Sequence, residues 1–535
     1  MKNIKEFLSY LDSLDIKLWV DGENLHYENL HYSAPPGIVT ANLKQKIKER
    51  KAEIKNFLSQ KLANNSIQSR EHSQFIPLSF GQQSIWLAEK INANSSAYNE
   101  SKGLKITGCL NTKALEKSIN EIIRRHKILR TNFVEINGQP VQKINSNLNI
   151  DLPMITLGNN PESESKMLIE RQAKAKFDLA HEPLFRCSLF KINTQEYVLF
   201  FTIHHIIWDG WSMGIFIREL SILYEAFCLG KPSPLVDLPI QYADFAVWQR
   251  RHLQAEILAT QVNYWQKQLN NLPVLNLTTE QNKSLQNEPV ETKKFFQFSQ
   301  ELSESIKAFS LQERVTLFMT LVAAFKTVLY YYTNSEDSII GTDVANRNYP
   351  ETEELIGFFV NQLVLRTDLG GNPTFKQLLN RVRQVTLEAY ANQDLPFGKL
   401  VKILNPDRNL DRSPLFQTKI MFSNFPLPSL QLKDLQVSTF DIGTNTNKFD
   451  LFLCLESTTQ GMGGFIEFDP KIFQVSTIEK IISQLKIVLT QSTINPEIAF
   501  ERLQSKLKEA DRQKYQVRKQ SYQKKIGSIK RKSLA

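Results

Sequence analysis

Apolar and polar positions fall into three short blocks within the first 60 residues. Residues 2–13 carry apolar side chains at helical spacing, which predicts a short amphipathic helix. The segment KLWVDGENLHYEN alternates and then turns at Asp21-Gly22, a dipeptide typical of tight hairpins. A second helix is predicted from about residue 40 to residue 59. Helix, hairpin and helix predict a small N-terminal domain at residues 1–60, followed by a polar linker at residues 61–74.

From Phe75 onward, apolar strands alternate with helical segments to about residue 500, which indicates an α/β or α+β architecture. The chain becomes polar and rich in Asn, Gln and Glu around residue 280, so we predict one lobe at residues 75–270 and a second at residues 271–500. The apolar run at residues 315–332 is interrupted by Thr and Lys side chains. This composition favours a buried helix over a membrane span.

The formal charge of +10 is concentrated at one end of the chain. Residues 501–535 contain twelve Lys and Arg against three acidic residues, so the rest of the chain is close to neutral. A neutral body lacks the basic patch expected of a nucleic-acid-binding protein, and we interpret the tail as a solvated linker or docking segment. The four cysteines show no CxxC spacing, which supports neither a zinc site nor a disulfide framework. Together with a charged N-terminus, this predicts a cytoplasmic protein.

The stretch FFTIHHIIWDGWSMG at residues 200–214 carries the strongest chemical signal. Neighbouring side chains of a strand point to opposite faces, so only one of His204 and His205 can face a given cavity. Four interpretations are open: two core histidines beside a turn, metal ligands, part of a hydrolase site, or a general base with its support.

The surrounding sequence disfavours two of these interpretations. A metal site needs three or four convergent ligands, and no further His/Cys cluster lies nearby. GWSMG at residues 210–214 matches the G-x-S-x-G nucleophile elbow of hydrolases. However, that fold needs a histidine after Ser212, and the only one is His252, in a polar helical stretch.

A general base is the fourth interpretation, because a neutral imidazole can take a proton from an attacking amine. Asp209 would then orient the loop by pairing with an arginine from elsewhere in the fold. The backbone amide of Gly210 would be free to approach a developing oxyanion.

HHIIWDG at residues 204–210 resembles the HHxxxDG signature of the condensation domains of nonribosomal peptide synthetases. Six further segments resemble that family's other motifs, in the family's order: PLSFGQQSIWL (77–87), RRHKILRTNF (124–133), QYADFAVW (241–248), IGFFVNQLVLR (356–366), NQDLPF (392–397) and DRSPLFQ (411–417). The first 60 residues resemble the small N-terminal docking domains that head some synthetase subunits.

The resemblance implies two chloramphenicol-acetyltransferase-like lobes arranged in a V around a central tunnel. His205 would face the tunnel as the catalytic base, and His204 would support the loop from behind. The residues that the resemblance places at the site are His205, His204, Asp209 and Gly210, with structural support predicted from Arg347, Trp211 and Ser212. Arg347 is our candidate for the arginine that pairs with Asp209, against the alternative of an ordinary surface charge.

The predicted substrate channel is lined by Ser84, Asn361, Gln362 and Gln417. Four positions depart from the residues usual in the family: Ser84 stands for Arg, Lys127 for Glu, Gln362 for Thr and Gly398 for Glu. None of these departures removes a catalytic group. They put substrate preference in question more than activity.

The resemblance also implies partners. Upstream donor and downstream acceptor carrier proteins would each present a substrate on a phosphopantetheine thioester, and the chain itself would bind no cofactor or metal. Residues 1–60 would bind a C-terminal docking peptide of an upstream synthetase along the hairpin edge. Neither Gly-Gly pair reads GG-x-S, the carrier signature, so we expect action in trans between carriers on other polypeptides. No nucleic-acid or membrane partner is expected.

The leading hypothesis is an amide-forming, carrier-dependent acyltransferase of nonribosomal peptide biosynthesis. An ester-forming relative and a non-catalytic, carrier-recruiting scaffold remain as alternatives. Epimerising relatives should carry an EGH motif, which this sequence lacks, and heterocyclising relatives should carry aspartates in place of the histidine pair.

Overall fold

The computed structural model describes residues 4, 17–21, 29–33, 41–54, 66–69, 75–92, 96–157, 161–273, 292–405, 413–423, 432–440, 449–458, 460–513 and 516. Structural statements below concern these residues.

The described chain alternates between strands and helices. The strands are β1 (Lys17–Asp21), β2 (Asn29–Ser33), β3 (Ile76–Pro77), β4 (Asn99–Thr107), β5 (Thr131–Ile136), β6 (Gln139–Ile144), β7 (Met154–Thr156), β8 (Phe185–Lys191), β9 (Glu196–His204), β10 (Lys293–Gln297), β11 (Asp337–Val344), β12 (Asn361–Asp368), β13 (Thr418–Ser423), β14 (Gln436–Phe440), β15 (Leu451–Thr458) and β16 (Gly461–Phe468). The helices are α1 (Ala41–Glu49), α2 (Phe80–Ile91), α3 (Thr112–Arg125), α4 (Pro161–Lys174), α5 (Gly210–Cys228), α6 (Tyr242–His252), α7 (Ala255–Gln268), α8 (Gln300–Gln312), α9 (Leu317–Thr333), α10 (Phe375–Ala391), α11 (Phe397–Leu404) and α12 (Val475–Ile494).

The first lobe is built on a five-stranded sheet with the order β14-β4-β9-β8-β7, beside a three-stranded sheet with the order β3-β6-β5. β9 is buried along nearly its whole length, which explains its continuous apolar sequence. α3 buries Leu115, Ile119 and Ile122, which recur at helical spacing, and packs against α5. These two helices and the sheet enclose the first core, which contains the turn that follows β9.

The second lobe is built on a six-stranded sheet with the order β10-β16-β15-β13-β11-β12. α9 is buried from Met319 to Leu329 in its core, so the apolar run predicted as a buried helix is one. α9 packs against α10 and α12. Its apolar residues are not confined to one face, because neighbouring elements surround it.

The chain passes between the lobes more than once. β14, late in the sequence, pairs antiparallel with β4 and becomes the edge of the first sheet. Leu355 and Phe359 pack in the first core, whereas Trp265 packs in the second. The two cores are therefore not contiguous in sequence, although our predicted lobes divide the chain once, at residue 270.

β1 and β2 form the predicted N-terminal hairpin. β1 and β2 pair antiparallel, with Lys17 opposite Ser33 and Asp21 opposite Asn29, so the chain turns back between these two strands. The helix that begins at Ala41 ends at Glu49, and residues 51–54 are again helical after a turn at Arg50. Apart from residue 4, the helix predicted at residues 2–13 lies outside the described residues.

Among the described helices, none is by itself long and apolar enough to cross a membrane. α8 and α9 together meet the criteria of length and composition, but the chain bends by 108° between them.

Lys326 is a fully buried cation in α9. Its Nζ donates hydrogen bonds to the carbonyl oxygens of Ser338 and Leu365, each at 2.8 Å. Burial lowers the pKa of Lys326 to about 7, against an opposing effect of Asp337. Between pH 7 and the ordinary pKa of 10.5, the unfolded chain therefore binds more protons than the folded chain.

We expect the free energy of unfolding of the wild type to rise with pH in this range, relative to that of Lys326→Met. The limiting slope for one group is about 1.4 kcal/mol per pH unit. Urea denaturation of both proteins at pH 7, 8 and 9 measures it, because the lost hydrogen bonds add only a pH-independent offset. Lys307→Met, at an exposed ion pair with Glu304, is the control and should show no slope. Parallel curves for Lys326→Met and wild type would show that burial does not lower the pKa of Lys326, and would contradict this prediction.

Candidate active site

His205 lies at the first position after β9, in the 3-10 turn His205–Ile207. Its backbone N–H donates to the carbonyl of Tyr98, at 2.8 Å, which fixes the turn against the start of β4. Its Nδ1 lies 2.8 Å from the carbonyl oxygen of Trp208. Because a carbonyl only accepts, this contact assigns a proton to Nδ1, so Nε2 is the nitrogen that can act as a base. The side chain of His205 is 21% exposed.

His204 points away from His205, as neighbouring strand residues must. It is almost completely buried, and its ring packs edge-on against Phe177 at 5.9 Å between centroids. Its Nδ1 accepts a hydrogen bond from the backbone N–H of Ile206, at 3.2 Å, and its Nε2 lies 3.6 Å from Glu89 Oε1. His204 therefore holds the turn from the core side, in the supporting position that the sequence predicted.

Asp209 is the N-cap of α5. Its Oδ1 accepts from the backbone N–H of Ser212 at 2.9 Å and from the hydroxyl of Ser212 at 2.7 Å. Its Oδ2 accepts from the backbone N–H of Phe359 at 3.0 Å. One carboxylate thus joins the start of α5 to the segment that precedes β12.

Arg347 pairs with Asp209, as predicted. Its Nη2 lies 3.1 Å from Oδ1 and 3.3 Å from Oδ2, and the two side chains are only 1% and 2% exposed. Nη1 donates to the carbonyls of Thr352 and Leu355. Burial lowers the pKa of Arg347, and Asp209 opposes that shift. The alternative of an ordinary surface charge does not describe this buried pair.

The structure gives Ser212 and Trp211 structural contacts. The Ser212 hydroxyl is buried, donates to Asp209 and accepts from the backbone N–H of Gly357 at 3.0 Å. It is therefore not presented as a nucleophile, in agreement with our rejection of the hydrolase interpretation. Trp211 Nε1 donates to the carbonyl of Glu353 at 3.0 Å. Gly210 is exposed at the first turn of α5.

A buried hydrogen-bond network around His126 also contacts the segment that precedes β12. His126 Nε2 lies 3.0 Å from Glu219 Oε2, and its Nδ1 accepts from the backbone N–H of Ile356 at 3.3 Å. Arg125 Nε donates to Glu219 at 2.9 Å. Burial alone would raise the pKa of Glu219, but the hydrogen bonds from His126 and Arg125 outweigh it and lower that pKa. The RRHKILRTNF motif thus acts on the site through packing.

Asn361 has a different setting from the one that we predicted. It is buried, and both amide protons are used, in hydrogen bonds to the carbonyls of Gln393 at 2.8 Å and Leu395 at 2.9 Å. Its Oδ1 accepts from the backbone N–H of Phe397 at 2.9 Å. Because these bonds tie β12 to the NQDLPF segment, Asn361 serves as a clamp in this structure rather than as a free channel group.

The other predicted channel residues are only partly buried. Gln362 donates to Asp343 at 3.3 Å, and Gln417 donates to the carbonyl of Ser413 at 3.3 Å. Ser84 of α2 lies directly against Gly398 of α11, where any side chain at 398 would collide with its hydroxyl. The two departures from the family pattern at Ser84 and Gly398 are therefore in contact, at a junction between the lobes.

Two neighbours of His205 were missed by sequence reasoning. Glu100 Oε1 lies 3.2 Å from His205 Nε2, and the ring of Phe358 lies edge-on at 5.2 Å between centroids. Glu100 reaches this position because β4 pairs antiparallel with β9, with Asn99 opposite His204. Glu100 lies in none of the motifs, so only a prediction of the strand pairing could have identified it.

The first lobe contains a cavity of about 570 Å³. Its wall includes Glu89 and Phe177, which also contact the His204 ring, together with the rings of Trp86 and Phe133. The described residues contain no group of three or more His, Cys, Asp or Glu side chains that could hold a metal ion.

The paired lobes, each with its own sheet, and the histidine at the end of a buried strand define an acyltransferase fold of the chloramphenicol-acetyltransferase type. Solved structures share it: the X-domain from teicoplanin biosynthesis has a TM-score of 0.73 at 23% identity, covering 82% of this chain and 99% of that one. The first condensation domain of the calcium-dependent antibiotic synthetase has a TM-score of 0.66 at 17% identity, covering 80% of this chain and 98% of that one. At these identities the likeness concerns the fold.

Sequence comparison gives the family. The condensation domain family matches residues 72–514, and the TubC N-terminal docking domain family matches residues 4–60. One of the linear gramicidin synthase proteins of Brevibacillus parabrevis is 43% identical over 434 residues, which are 79% of this chain and 8% of that protein. The chain thus spans less than a tenth of the length of this relative.

The chain belongs to the condensation domain family of nonribosomal peptide synthetases, with a TubC-type docking domain at its N-terminus. Condensation domains of these synthetases are amide-forming acyltransferases. The resemblance inferred from the HHxxxDG motif is confirmed.

Proposed function

We propose that this chain joins a donor acyl or peptidyl thioester to an acceptor aminoacyl thioester, both carried on phosphopantetheine, and forms an amide bond. The state of His205 carries the proposal. The carbonyl of Trp208 fixes Nδ1 as a donor, so Nε2 is the base, and the side chain is partly exposed at the end of a rigid strand. A group in this state can take a proton from an amine without first losing one itself.

The proton path is short. The acceptor amine attacks the donor carbonyl, and His205 Nε2 takes the proton that the nitrogen gives up. When the tetrahedral intermediate collapses, the C–S bond breaks, and the pantetheine sulfur takes the proton from His205 and leaves as a thiol. The products are an amide on the acceptor carrier and a free thiol on the donor carrier. No covalent bond to the protein is formed at any step.

Most of the acceleration is expected from positioning. Two tethered reactants that meet at one point can reach effective molarities of roughly 10⁵ to 10⁸ M. The buried contacts of Asp209 with Arg347, Ser212 and Phe359 keep the turn that carries His205 in one place. These contacts hold the base in position and add no chemical step.

The docking domain gives the catalyst a means of choosing its donor. We propose that residues 1–60 bind a C-terminal peptide of an upstream synthetase, which adds as a strand to the β1–β2 hairpin. Such tethering raises the local concentration of the donor carrier without new contacts at the active site. Donor and acceptor carriers are the other proposed partners.

Mass spectrometry of the product tests the proposed reaction. The donor is N-acetylleucyl phosphopantetheine on a carrier protein, whose blocked amine cannot act as acceptor. The acceptors are alanyl, seryl and phenylalanyl thioesters on a second carrier. We expect the acceptor carrier to gain the N-acetylleucyl mass. Mild hydroxylamine cleaves the carrier thioester and should release one hydroxamate in which the N-acetylleucyl group remains joined to the acceptor residue through an amide.

Two outcomes would overturn the proposal. Separate N-acetylleucyl and seryl hydroxamates after hydroxylamine treatment would mean that the two groups were joined by an ester, and would favour the ester-forming alternative. Absence of any product, with binding of both carriers intact, would favour a carrier-recruiting scaffold. A reaction without protein is the control for spontaneous transfer.

A further inference from the structure

Glu100 and His205 form an isolated pair of titratable groups at the site. Glu100 Oε1 lies 3.2 Å from Nε2, the nitrogen that acts as base, and the two side chains are 31% and 21% exposed. Both therefore reach the space from which a substrate would approach. The buried histidine, His204, faces a different carboxylate, Glu89.

Asp209, the other charged residue on this turn, is already paired with Arg347. The segment before β12 contributes the ring of Phe358, and the N-terminal end of β4 contributes the Tyr98 carbonyl. Within the described part of the chain, no Lys or Arg forms an ion pair with Glu100. Its carboxylate is thus available to a cation that enters from solvent.

When the His205 ring is neutral, the Glu100 carboxylate and Nε2 are both hydrogen-bond acceptors. Neither atom can satisfy the other until a proton is placed between them. An acceptor amine brings that proton, because an α-amino group is largely an ammonium ion below its ordinary pKa of about 7.7 to 8.0. One N–H of the ammonium can donate to Glu100 while another donates to His205.

We infer that Glu100 is an acceptor-positioning residue, which makes this site select a substrate with a protonated amine over one with a neutral hydroxyl. The inference rests on the proposed function and names the substrate class of the same site. Charge-assisted hydrogen bonds are roughly twice as strong as neutral ones, so the carboxylate distinguishes the two classes by more than shape.

The proton balance is complete. The bound ammonium gives one proton to His205 Nε2, Glu100 stabilises the imidazolium that results, and His205 returns this proton to solvent. The free amine then forms the C–N bond, and His205 Nε2 takes the nitrogen's second proton. As the C–S bond breaks, His205 passes this proton to the sulfur, which leaves as a thiol. Overall, ammonium and thioester give amide, thiol and one proton.

Equilibrium binding of two matched probes tests this without turnover. The probes are alanyl-pantetheine and lactyl-pantetheine analogues in which an amide replaces the thioester, so they differ only by ammonium against hydroxyl. By calorimetry at pH 7, we expect the wild type to bind the alanyl probe about 10- to 100-fold more tightly than the lactyl probe. Glu100→Gln should lower this ratio to about 1 through weaker alanyl binding alone. At pH 9, where the amine is neutral, the two proteins should converge.

The controls separate a local charge effect from a structural one. Glu196→Gln removes an exposed carboxylate on the same pair of strands, where it pairs with Lys105, and should leave the ratio unchanged. Glu100→Asp keeps the charge and should keep the pH dependence even if binding weakens. Equal loss of both probes in Glu100→Gln, or an unchanged ratio, would overturn the inference.

This readout also separates the inference from the proposed function. Discrimination that depends on Glu100 in a protein that forms no amide would leave the recognition of ammonium intact and remove the reaction. If the wild type forms the amide but Glu100→Gln still discriminates between the probes as the wild type does, the proposed reaction would stand and the role of Glu100 would be refuted.

Discussion

His205→Ala should lower the rate of amide formation by about 10²- to 10⁴-fold, the usual contribution of a positioned general base. The loss is expected in kcat more than in KM, because the carriers and their tethers still bind. The free energy of unfolding should change little, since the side chain is partly exposed and its main contact is one hydrogen bond to the Trp208 carbonyl. Single-turnover quench kinetics with both loaded carriers measure the effect.

His181→Ala is the matched control for this result. His181 is an exposed histidine of the same lobe, where it pairs with Asp178. Its variant should retain the rate of the wild type. An active His205→Ala protein would show that proximity alone drives the reaction and that no base is needed at this position.

Asp209→Ala should lower the free energy of unfolding by about 3–5 kcal/mol, because it leaves the buried Arg347 guanidinium without its counter-charge. The same change removes the N-cap of α5, which by itself is worth about 1 kcal/mol. We also expect amide formation to fall, since the turn that carries His205 loses its anchor to the segment before β12. Chemical denaturation, followed by activity measured well below the transition, separates the two effects.

Arg218→Met tests whether burial of the ion pair causes the losses of stability and activity expected for Asp209→Ala. Arg218 also reaches from α5 to the segment before β12, where it pairs with Glu354, but this pair is exposed. An exposed pair contributes about 0–1 kcal/mol, so the variant should be close to wild type in stability and rate. Equal losses in Asp209→Ala and Arg218→Met would contradict a special role for the buried pair.

The local sequence was sufficient to locate the turn that carries the histidine pair. An apolar run followed by two histidines and Asp-Gly requires a strand that ends in a tight turn, and strand geometry alone separates His204 from His205. The partner of Asp209 was also predicted, because a buried carboxylate needs a cation and Arg347 was our candidate for it. Both predictions depend on short-range pattern or on pairing of opposite charges.

Long-range strand pairing could not be predicted in the same way. Glu100 meets His205 through the register of β4 on β9, and β14 joins the first sheet from a late part of the chain. Neither pairing leaves a mark in the local alternation of apolar and polar residues, because a shift of register changes the partners without changing the pattern. Asn361 was misjudged for a related reason: the carbonyls that occupy its amide come from a distant segment.

Ser84 and Gly398, which both depart from the residues usual in the family, are in contact with each other. Each position alone suggested a changed preference for substrate. Their contact between α2 and α11 shows that the small residues fit one another at a junction between the lobes. We therefore interpret them as one change rather than two.

Release of pantetheine thiol in a single turnover tests the central claim most directly. The protein is first mixed with the N-acetylleucyl donor carrier alone, and the alanyl acceptor carrier is added afterwards. Direct transfer at His205 predicts thiol release only after the acceptor is added, in a one-to-one ratio with amide and with no change in the mass of the protein. A burst of thiol before the acceptor, together with an acylated protein, would contradict the account and point to a covalent nucleophile.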